Sequence, residues 1–404
     1  MGRGPAKYTQ HKKYKHARLG TFTLAHADIA TPVYMPVGTQ GTLKGFTTEQ
    51  IKTLNPKIML SNTYFLNQRP GIPVLEQTGG LHNLMRWPNN FLTDSGGFQM
   101  VSLLKLSKLT EEGVTFISPV TGFSELLTPE ISIKTQQAIG TDVIMCLDDV
   151  VSAQLDKVND AERIAEASLR TTRWLDRCIS AHTTQNQALF AICQGHLDCT
   201  KNGNRDQCIR DITERKESFG GIAIGGLSGG EAKDDFWRTV LYCTINLPQD
   251  LPRYLMGVGF PVDLVTCSCL GVDMFDCVYA TRTGRFGTAL TGKGELYLTR
   301  EAYCNDFTVI EEGCGCEACS SGFTKARLNI LFKEGESVGG QLVSAHNVYY
   351  LLNLMSQVRE SIQTEKLDEF VSIFLRNWFT EQQKVPEWVC DALDAVDIQW
   401  KWIQ

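Results

Sequence analysis

The 404-residue chain contains no apolar stretch of membrane-spanning length and no apolar leader at its start, so neither a membrane-spanning nor a secreted protein is expected. Gly2 follows Met1, but Ala6 stands where an N-myristoylation signal requires Ser or Thr, and a lipid anchor is discounted too. An excess of one charge is also missing: 39 Lys and Arg face 45 Asp and Glu, a net charge of −6. Non-specific affinity for nucleic acid comes from neutralised phosphates, so this balance excludes a general polyanion binder. Any RNA or DNA has to meet a local basic patch. One candidate is the N-terminal set Lys7, Lys12, Lys13, Lys15 and Arg18; the other is Arg282, Arg285, Lys293 and the Lys325/Arg327 pair. The first, within a basic arm over residues 1–18, reads more readily as a solvated, frayed terminus. No Gly-x-Gly-x-x-Gly follows the first strand and there is no Walker loop, which argues against a dinucleotide-binding sheet and against a triphosphate-driven reaction.

Cysteine, by contrast, is plentiful, with 14 residues. Cys146, Cys193, Cys267, Cys269 and Cys277 lie in apolar runs, and without a secretory leader they read as reduced core thiols of a cytosolic protein. Cys314, Cys316 and Cys319 are different. They fall within six residues of a polar, Gly- and Ser-rich loop, and His346 follows near the start of a helix-like segment. Three thiols and an imidazole make a closed, four-ligand tetrahedral site, which is the pattern of structural zinc. Unpaired thiols in a small loop, or an iron–sulfur cluster, are the weaker readings.

Through the first 280 residues short apolar runs recur: Ile58–Leu60, Phe91–Thr93, Val143–Leu147, Leu189–Cys193, Ile222–Ile224, Tyr254–Met256 and Val272–Phe275. Helix-like segments separate several of them. The clearest spans about Asp160 to Ala181, with Ala161, Ile164, Ala165, Leu169, Thr172, Leu175 and Ile179 on one stripe. Fully apolar strands alternating with helices indicate a parallel sheet covered on both faces. Seven or so such units in this length suit an α/β fold of the TIM (β/α)8 barrel type better than a doubly wound sheet. The residues just after each run are the stronger signal. These strand ends are Asn62-Thr63-Tyr64, Asp94-Ser95-Gly96-Gly97, Asp148-Asp149, Gln194-Gly195, Gly225-Gly226, Gly257-Val258-Gly259 and Asp276. In a barrel all of these converge on one face, where active sites form. Ordinary turn chemistry explains some of them individually.

Asp276 ends such a run, and Arg282 and Arg285 come within ten residues on a Gly-containing loop, Thr281 to Arg285. By itself the segment fits a helix N-cap with two solvated arginines as well as it fits a catalytic carboxylate beside phosphate or base clamps.

The segments Asp94-Ser95-Gly96-Gly97-Phe98-Gln99-Met100, Gly225-Gly226-Leu227-Ser228-Gly229-Gly230-Glu231 and Tyr254-Leu255-Met256-Gly257-Val258-Gly259, the Asp276 stretch and the three-Cys, one-His set occur in one order along the chain. Together they resemble the queuine tRNA-ribosyltransferase (tRNA-guanine transglycosylase) family, in its eukaryotic catalytic branch, from about Leu19 to about Ile398. The resemblance implies a barrel over residues 19–300 and a zinc subdomain with closing helices over 301–404. It further implies exchange of guanine for queuine at the anticodon wobble position of G-U-N tRNAs, those for aspartate, asparagine, histidine and tyrosine. Asp276 would be the nucleophile on the ribose, forming a covalent aspartyl-ribosyl intermediate, and Asp94 the general acid/base. Two successive displacements of this kind retain configuration and require no triphosphate. Asp94, Ser95, Gly96, Gly97, Phe98, Asp148, Gln194, Gly226, Gly229 and Met256 would form the base pocket, with Asp149 left to cap the next helix. Gly257, Val258, Gly259, Phe260, Pro261, Val262 and Asp263, and Thr281, Arg282, Thr283, Gly284 and Arg285, would contact tRNA, whose target base is flipped from a single-stranded loop. Gly229 stands where bacterial relatives carry Val, which leaves room for queuine's larger ring substituent, and Val150 stands where they carry Cys.

Two departures from the family pattern are His196, where a second Gly is usual after Gln194-Gly195, and Phe65, where His is usual. If position 196 needs a positive φ, His there carries strain and unsettles the orientation of Gln194. The same resemblance implies one Zn2+ per chain and a heterodimer with a non-catalytic subunit. It places the protein in the cytoplasm, with peripheral attachment at the mitochondrial outer membrane. The main alternative is that non-catalytic, tRNA-binding subunit itself, in which the positions of Asp276 and Asp94 are lost; an unrelated barrel glycosidase explains the carboxylates but neither the arginines nor the zinc module.

Overall fold

The computed structural model describes residues 6–97, 108–118, 122–379 and 384–400. Phe98, Gln99 and Met100 of the segment that begins at Asp94 lie outside the described residues. Eight parallel strands stand side by side in the order Val33–Pro36, Met274–Cys277, Arg253–Leu255, Gly221–Ile224, Ala188–Cys193, Val143–Met145, Asn90–Thr93 and Ile58–Ser61. A parallel bridge between Val37 and Leu60 joins the two ends, supported by Gly38 N to Leu60 O at 2.8 Å and Asn62 N to Thr39 O at 3.1 Å. The sheet is therefore a closed (β/α)8-type barrel, as expected. Val33–Pro36 is the strand absent from the sequence reading. It is four residues long, follows Pro32 and ends on Pro36, and proline usually marks an edge or a turn rather than an interior strand.

Alternation along the strands separates two cores. Val33, Met35, Ile58, Leu60, Leu92, Val143, Met145, Phe190, Ile192, Ala223, Tyr254 and Met274 fill the barrel. Their neighbours Tyr34, Met59, Phe91, Ile144, Leu189, Ile222, Leu255 and Phe275 face the surrounding helices. A Cβ at Gly221 would lie 2.2 Å from Phe190 Cζ, so the barrel holds that ring only because position 221 has no side chain. The period of two carries Met274 inward, Phe275 outward and Asp276 inward again, at the end of its strand.

The N-terminal pole is closed by an antiparallel sheet of Lys7–Tyr14, Ala17–Thr23 and Asp28–Thr31. Phe22 enters the barrel from it and meets Phe190 at a centroid separation of 5.7 Å. The frayed basic terminus expected from composition is thus a paired strand. Lys12 bonds Gln363 O and Glu365, and Lys15 bonds Asp368 and Asp397 O, which fastens the strand to the C-terminal helices. Beneath it Arg18 forms a buried pair with Asp273, Nε to Oδ1 at 3.1 Å and Nη2 to Oδ2 at 2.7 Å.

The helix expected from Asp160 is Ala161–Ala181, but its buried face is Ile164, Ala167, Ser168, Thr171, Trp174, Leu175 and Cys178. Leu169, assigned to the stripe from periodicity, is 45% exposed. Trp174 sets the rotation: its indole donates to Glu111 O at 2.8 Å from a fully buried ring, a larger apolar surface than any single residue of the stripe provides.

Thr281 to Arg285 are helical rather than a loop, lying in Tyr279–Arg285. A Cβ at Gly284 would come within 2.7 Å of Ser344 Cα, so the glycine lets this short helix rest on the long helix Ser337–Gln363. The hairpin Thr288–Thr291 and Gly294–Tyr297 then shares an apolar cluster with Ile310, Cys316, Cys319, Leu328 and Val343.

Candidate active site and metal centre

Because all eight strands run one way, their polar ends meet at one mouth. Asp276 lies there, 9% exposed. The Tyr254 hydroxyl donates to its Oδ1 at 2.5 Å and the Gly257 amide donates to the same oxygen at 2.8 Å. Burial raises the carboxyl above the ordinary range, and these two donors pull it back. Gly257 has a φ of +74°, the left-handed conformation that aims its amide at the carboxylate.

Asp94 follows Asn90–Thr93. The Asn62 amide donates to its Oδ2 at 2.5 Å, and the Thr63 and Gly96 amides reach Oδ1 at 3.0 and 3.2 Å. The Asn62 side-chain oxygen accepts from Phe65 N at 3.0 Å, capping the helix Thr63–Gln68, which fixes which end of the amide faces Asp94. Charge on Asp94 acts on both Asp148 and Tyr254, so the three groups share one pocket. Ser95 is buried, Gly97 N donates to its hydroxyl at 3.2 Å, and its carbonyl accepts from Ser132 at 2.8 Å.

Asp148 and Gln194 end neighbouring strands and touch, Nε2 to Oδ2 at 2.7 Å. Burial pushes the Asp148 carboxyl up to about 7, the Gln194 contact opposes this, and the charges of Asp149 and Asp94 add to it. Gln194 Oε1 is buried without a partner among the described residues. A Cβ at Gly226 would lie 2.5 Å from that oxygen, so Gly226 is what gives the amide its place. Asp149 turns away to Arg163 and Arg170, with Nη2 to Oδ1 at 2.5 Å and Nη1 to Oδ2 at 2.7 Å; it is an ion-pair anchor for the helix rather than its cap.

Met256 packs at the upper edge of the barrel core. Gly229 is exposed, and a Cβ there would stand 3.5 Å from Ala153 Cβ. His196 does have the positive φ, +55°, and its ring is buried with neither nitrogen partnered among the described residues. Phe65 stacks edge-on to Tyr64 at 5.4 Å.

The two segments expected to contact tRNA differ in what they present. From the first, Gly257 is exposed, while the side chains of Val258, Pro261 and Val262 are buried. Phe260 packs edge-on against Tyr279 and Trp378, Asp263 pairs with Lys233 at 2.6 Å, and a Cβ at Gly259 would meet Cys277 Cβ at 2.3 Å. From the second, Thr281 and Gly284 are buried, Thr283 and Arg285 half-buried and Arg282 exposed. Phe286, next in the chain, is 75% exposed. Phe286 and Tyr254 are functional candidates that the sequence pattern did not single out, and Asn62, one of the expected polar strand ends, had no role assigned to it; an aromatic beside two arginines was the available signal for Phe286.

The metal-site residues come together as expected. Cys314, Cys316 and Cys319 Sγ lie 3.6, 3.3 and 3.6 Å from His346 Nδ1. Zn–S and Zn–N bonds of about 2.3 and 2.1 Å in a tetrahedron put sulfur and nitrogen roughly 3.6 Å apart. His346 Nε2 donates to Leu290 O at 2.7 Å, which leaves Nδ1 free to ligate, and the Cys319 amide donates to Cys316 Sγ at 3.4 Å. These four residues fit a metal ion such as zinc. A second cluster, His26, His82 and Asp142, has nitrogen–oxygen separations of 2.6 and 3.0 Å, which are hydrogen bonds rather than ligand spacings.

Two carboxylates and an amide–carboxylate wall at the mouth of a closed barrel are the equipment of a group-transferring barrel enzyme that holds a flat polar ring. The family model for queuine tRNA-ribosyltransferase matches residues 13–380. The queuine tRNA-ribosyltransferase catalytic subunit of Schizosaccharomyces pombe is 49% identical over 390 residues, 95% of this chain and 94% of the relative. That of Caenorhabditis elegans is 47% identical over 392 residues, 94% and 95% of the two chains. The bacterial queuine tRNA-ribosyltransferase of Halothermothrix orenii is 41% identical over 365 residues, 90% and 95%. The chain belongs to the queuine tRNA-ribosyltransferase family, whose members are pentosyltransferases.

Proposed function

We propose that this chain is the catalytic subunit that exchanges guanine for queuine at the wobble position of G-U-N tRNAs, through a covalent aspartyl-ribosyl intermediate. The observation that carries this reading is the one-sided engagement of Asp276. Tyr254 and Gly257 hold Oδ1, and Oδ2 accepts no hydrogen bond among the described residues. A carboxylate so oriented presents one oxygen to an electrophilic ribose carbon. Asp94, steadied by Asn62 and two backbone amides, protonates the departing guanine and takes a proton from the entering base. Asp148 accepts the base's ring and amino N–H donors, while Gln194 and the backbone at Gly226 meet its carbonyl edge. Ser95, Gly96, Gly97 and Met256 enclose the ring, and Gly229 leaves space for queuine's substituent. Arg282 and Arg285 read the neighbouring anticodon bases, and Gly257 to Asp263 contributes mainly backbone.

On this reading residues 19–300 carry the reaction. Residues 301–404 hold one Zn2+ on Cys314, Cys316, Cys319 and His346, where it braces the subdomain and takes no part in exchange. The fungal and nematode relatives are named as catalytic subunits, which supports pairing with a second, non-catalytic subunit. No helix among the described residues is long and apolar enough to cross a membrane, so attachment at the mitochondrial outer surface would be peripheral.

The test is exchange of labelled guanine into a G-U-N tRNA, with and without the partner subunit. Asp276→Ala should abolish both exchange and the covalent RNA adduct. An adduct that survives the substitution removes Asp276 as nucleophile, and wild-type binding without exchange in both assays makes the chain a tRNA-binding subunit.

A further inference from the structure

Arg205 is fully buried beneath the base pocket, and among the described residues its guanidinium donates to three backbone carbonyls. Its Nη1 donates to Cys193 O at 2.9 Å and Gly225 O at 3.0 Å, and Nε donates to His196 O at 3.1 Å, an oxygen that Nη2 also reaches. These carbonyls bracket the base-facing residues. Cys193 precedes Gln194, His196 closes the turn behind it, and Gly225 precedes Gly226. The titratable side chains around Arg205 are thiols, of Cys193, Cys199, Cys208 and Cys243, and no carboxylate bonds it among the described residues. A neutral amide could bridge two carbonyls; a buried guanidinium, costly to desolvate, does something more.

Its effect arises from peptide geometry. In a trans peptide the C=O and N–H point in opposite directions. With Gly225 O turned down to Arg205, the Gly226 N–H is directed away from the guanidinium, and it donates to nothing among the described residues. A Cβ at Gly226 would stand 3.7 Å from Arg205 Nη2 and 2.5 Å from Gln194 Oε1, so this peptide separates the guanidinium from the amide wall. A charged donor on a carbonyl polarises the N–H of the same peptide and strengthens its next hydrogen bond. Gly195 fixes the arrangement from the other side: a Cβ there would come within 2.4 Å of Arg205 N, so the turn lies directly on the start of the helix Asn204–Glu214.

We propose that Arg205 is a positioning residue for base exchange, which through the Gly225–Gly226 peptide strengthens the amide donor that meets the 6-carbonyl oxygen of the bound purine. Partial negative charge grows on that oxygen as guanine departs, so the same contact tightens towards the transition state. This inference rests on the base-exchange reading above.

The discriminating measurement compares two free bases as inhibitors of labelled-guanine exchange: guanine, and 2-aminopurine, which lacks the 6-carbonyl. In Arg205→Gln the inhibition constant for guanine should rise about three- to tenfold while that for 2-aminopurine stays within about twofold, because only the contact to the 6-carbonyl is weakened. Equal rises for both bases mean a purely structural role and overturn the proposal. Should Arg205→Gln fail to fold, Arg205→Lys carries the test, since an ammonium reaches fewer of the three carbonyls. It should lower the preference for guanine partway, and an unchanged preference overturns the proposal. A wild-type protein that exchanges no guanine sinks the base-exchange reading and this inference with it; exchange with an unaltered preference sinks this inference alone.

Discussion

Tyr254 and Asp276 lie on adjacent strands, and the phenol of one donates to Oδ1 of the other at 2.5 Å. The Gly257 amide shares that oxygen at 2.8 Å. One oxygen is thereby committed to orientation and the other is left for chemistry.

Removing the phenol tests this division. Burial holds the Asp276 carboxyl above its ordinary range and the phenol opposes that, so Tyr254→Phe raises it further. If Asp276 is the nucleophile, exchange requires its ionised form, and the acid limb of the kcat/KM profile should move to higher pH. A hydrogen bond to a charged group is worth about 1.5–3 kcal/mol, so kcat near neutrality should fall roughly ten- to hundredfold. A limb that stays in place with a rate within about twofold of wild type would mean that Gly257 alone orients the carboxylate.

Asp148 gives a second pH signature. Its carboxyl is pushed up to about 7, chiefly by burial, so near neutrality the empty pocket holds an extra proton. A base that donates N–H groups to this carboxylate favours the ionised form. Affinity for free guanine should therefore weaken below pH 7, by about tenfold per unit, with a proton released on binding at pH 6. The linkage to folding has the opposite sense. A raised acid destabilises the fold as pH rises from the unfolded value of about 4 towards 7. Asp148→Asn should flatten the binding profile; a wild-type profile already flat between pH 5 and 8 would contradict the assignment.

The pair Asp273 and Asp276 shows what the sequence could and could not disclose. Both stand in one apolar run, and its pattern places a carboxylate at a strand end without saying which. Asp276 reaches the mouth only because Met274 and Phe275 alternate inward and outward before it. Asp273 begins the strand at the opposite pole, bonded to Arg18 and Tyr8 from an N-terminal sheet more than 250 residues earlier, and no local signal announces that pairing. The strand ends Asp94, Asp148 and Gln194 were legible because fully apolar parallel strands stand out and their termini must share a face. The cluster of Cys314, Cys316, Cys319 and His346 was legible because its spacing is its chemistry. Tyr254 was hidden inside a strand, where an aromatic reads as core; its ring is core, and only its hydroxyl belongs to the site. The rotation of Ala161–Ala181 escaped periodicity because Trp174 and the Asp149–Arg170 pair, both tertiary, outweigh the rest of the apolar stripe.

Arg18→Met should expose how much the far pole contributes to stability. It leaves Asp273, which is fully buried, without its charge partner. Breaking such a pair costs about 3–5 kcal/mol, read as a lower denaturation midpoint. Adding Asp273→Asn should recover part of the loss, while kcat of the folded protein at 25 °C stays within about twofold of wild type. A loss of exchange out of proportion to folded protein would show that the two poles are coupled.

The metal site should be separable from the chemistry in the same way. Purified protein should carry about one zinc per chain by elemental analysis, and Cys316→Ser should lose it. With the metal gone, the cluster of Ala289, Leu298, Leu328 and Val343 loses its cross-link, and proteolysis should cut first between residues 300 and 335. Full metal content in the Cys316→Ser protein would remove that residue from the ligand set.

Arg282 and Arg285 distinguish base reading from phosphate holding. Arg282 is exposed and Arg285 half-buried at the end of Tyr279–Arg285, with the exposed ring of Phe286 beside them as a surface on which an unstacked base can rest. If the arginines read bases, Arg282→Ala or Arg285→Ala should cost about 1–3 kcal/mol of discrimination for U over other bases next to the exchanged guanine, with little change in salt dependence. If they hold phosphates, affinity should fall uniformly across tRNA sequences and the slope of log K against log salt should shrink by about one for each arginine removed. Binding of G-U-N and G-C-N anticodon stem-loops across a range of salt separates the two, and a uniform loss with a shallower slope would refute base reading.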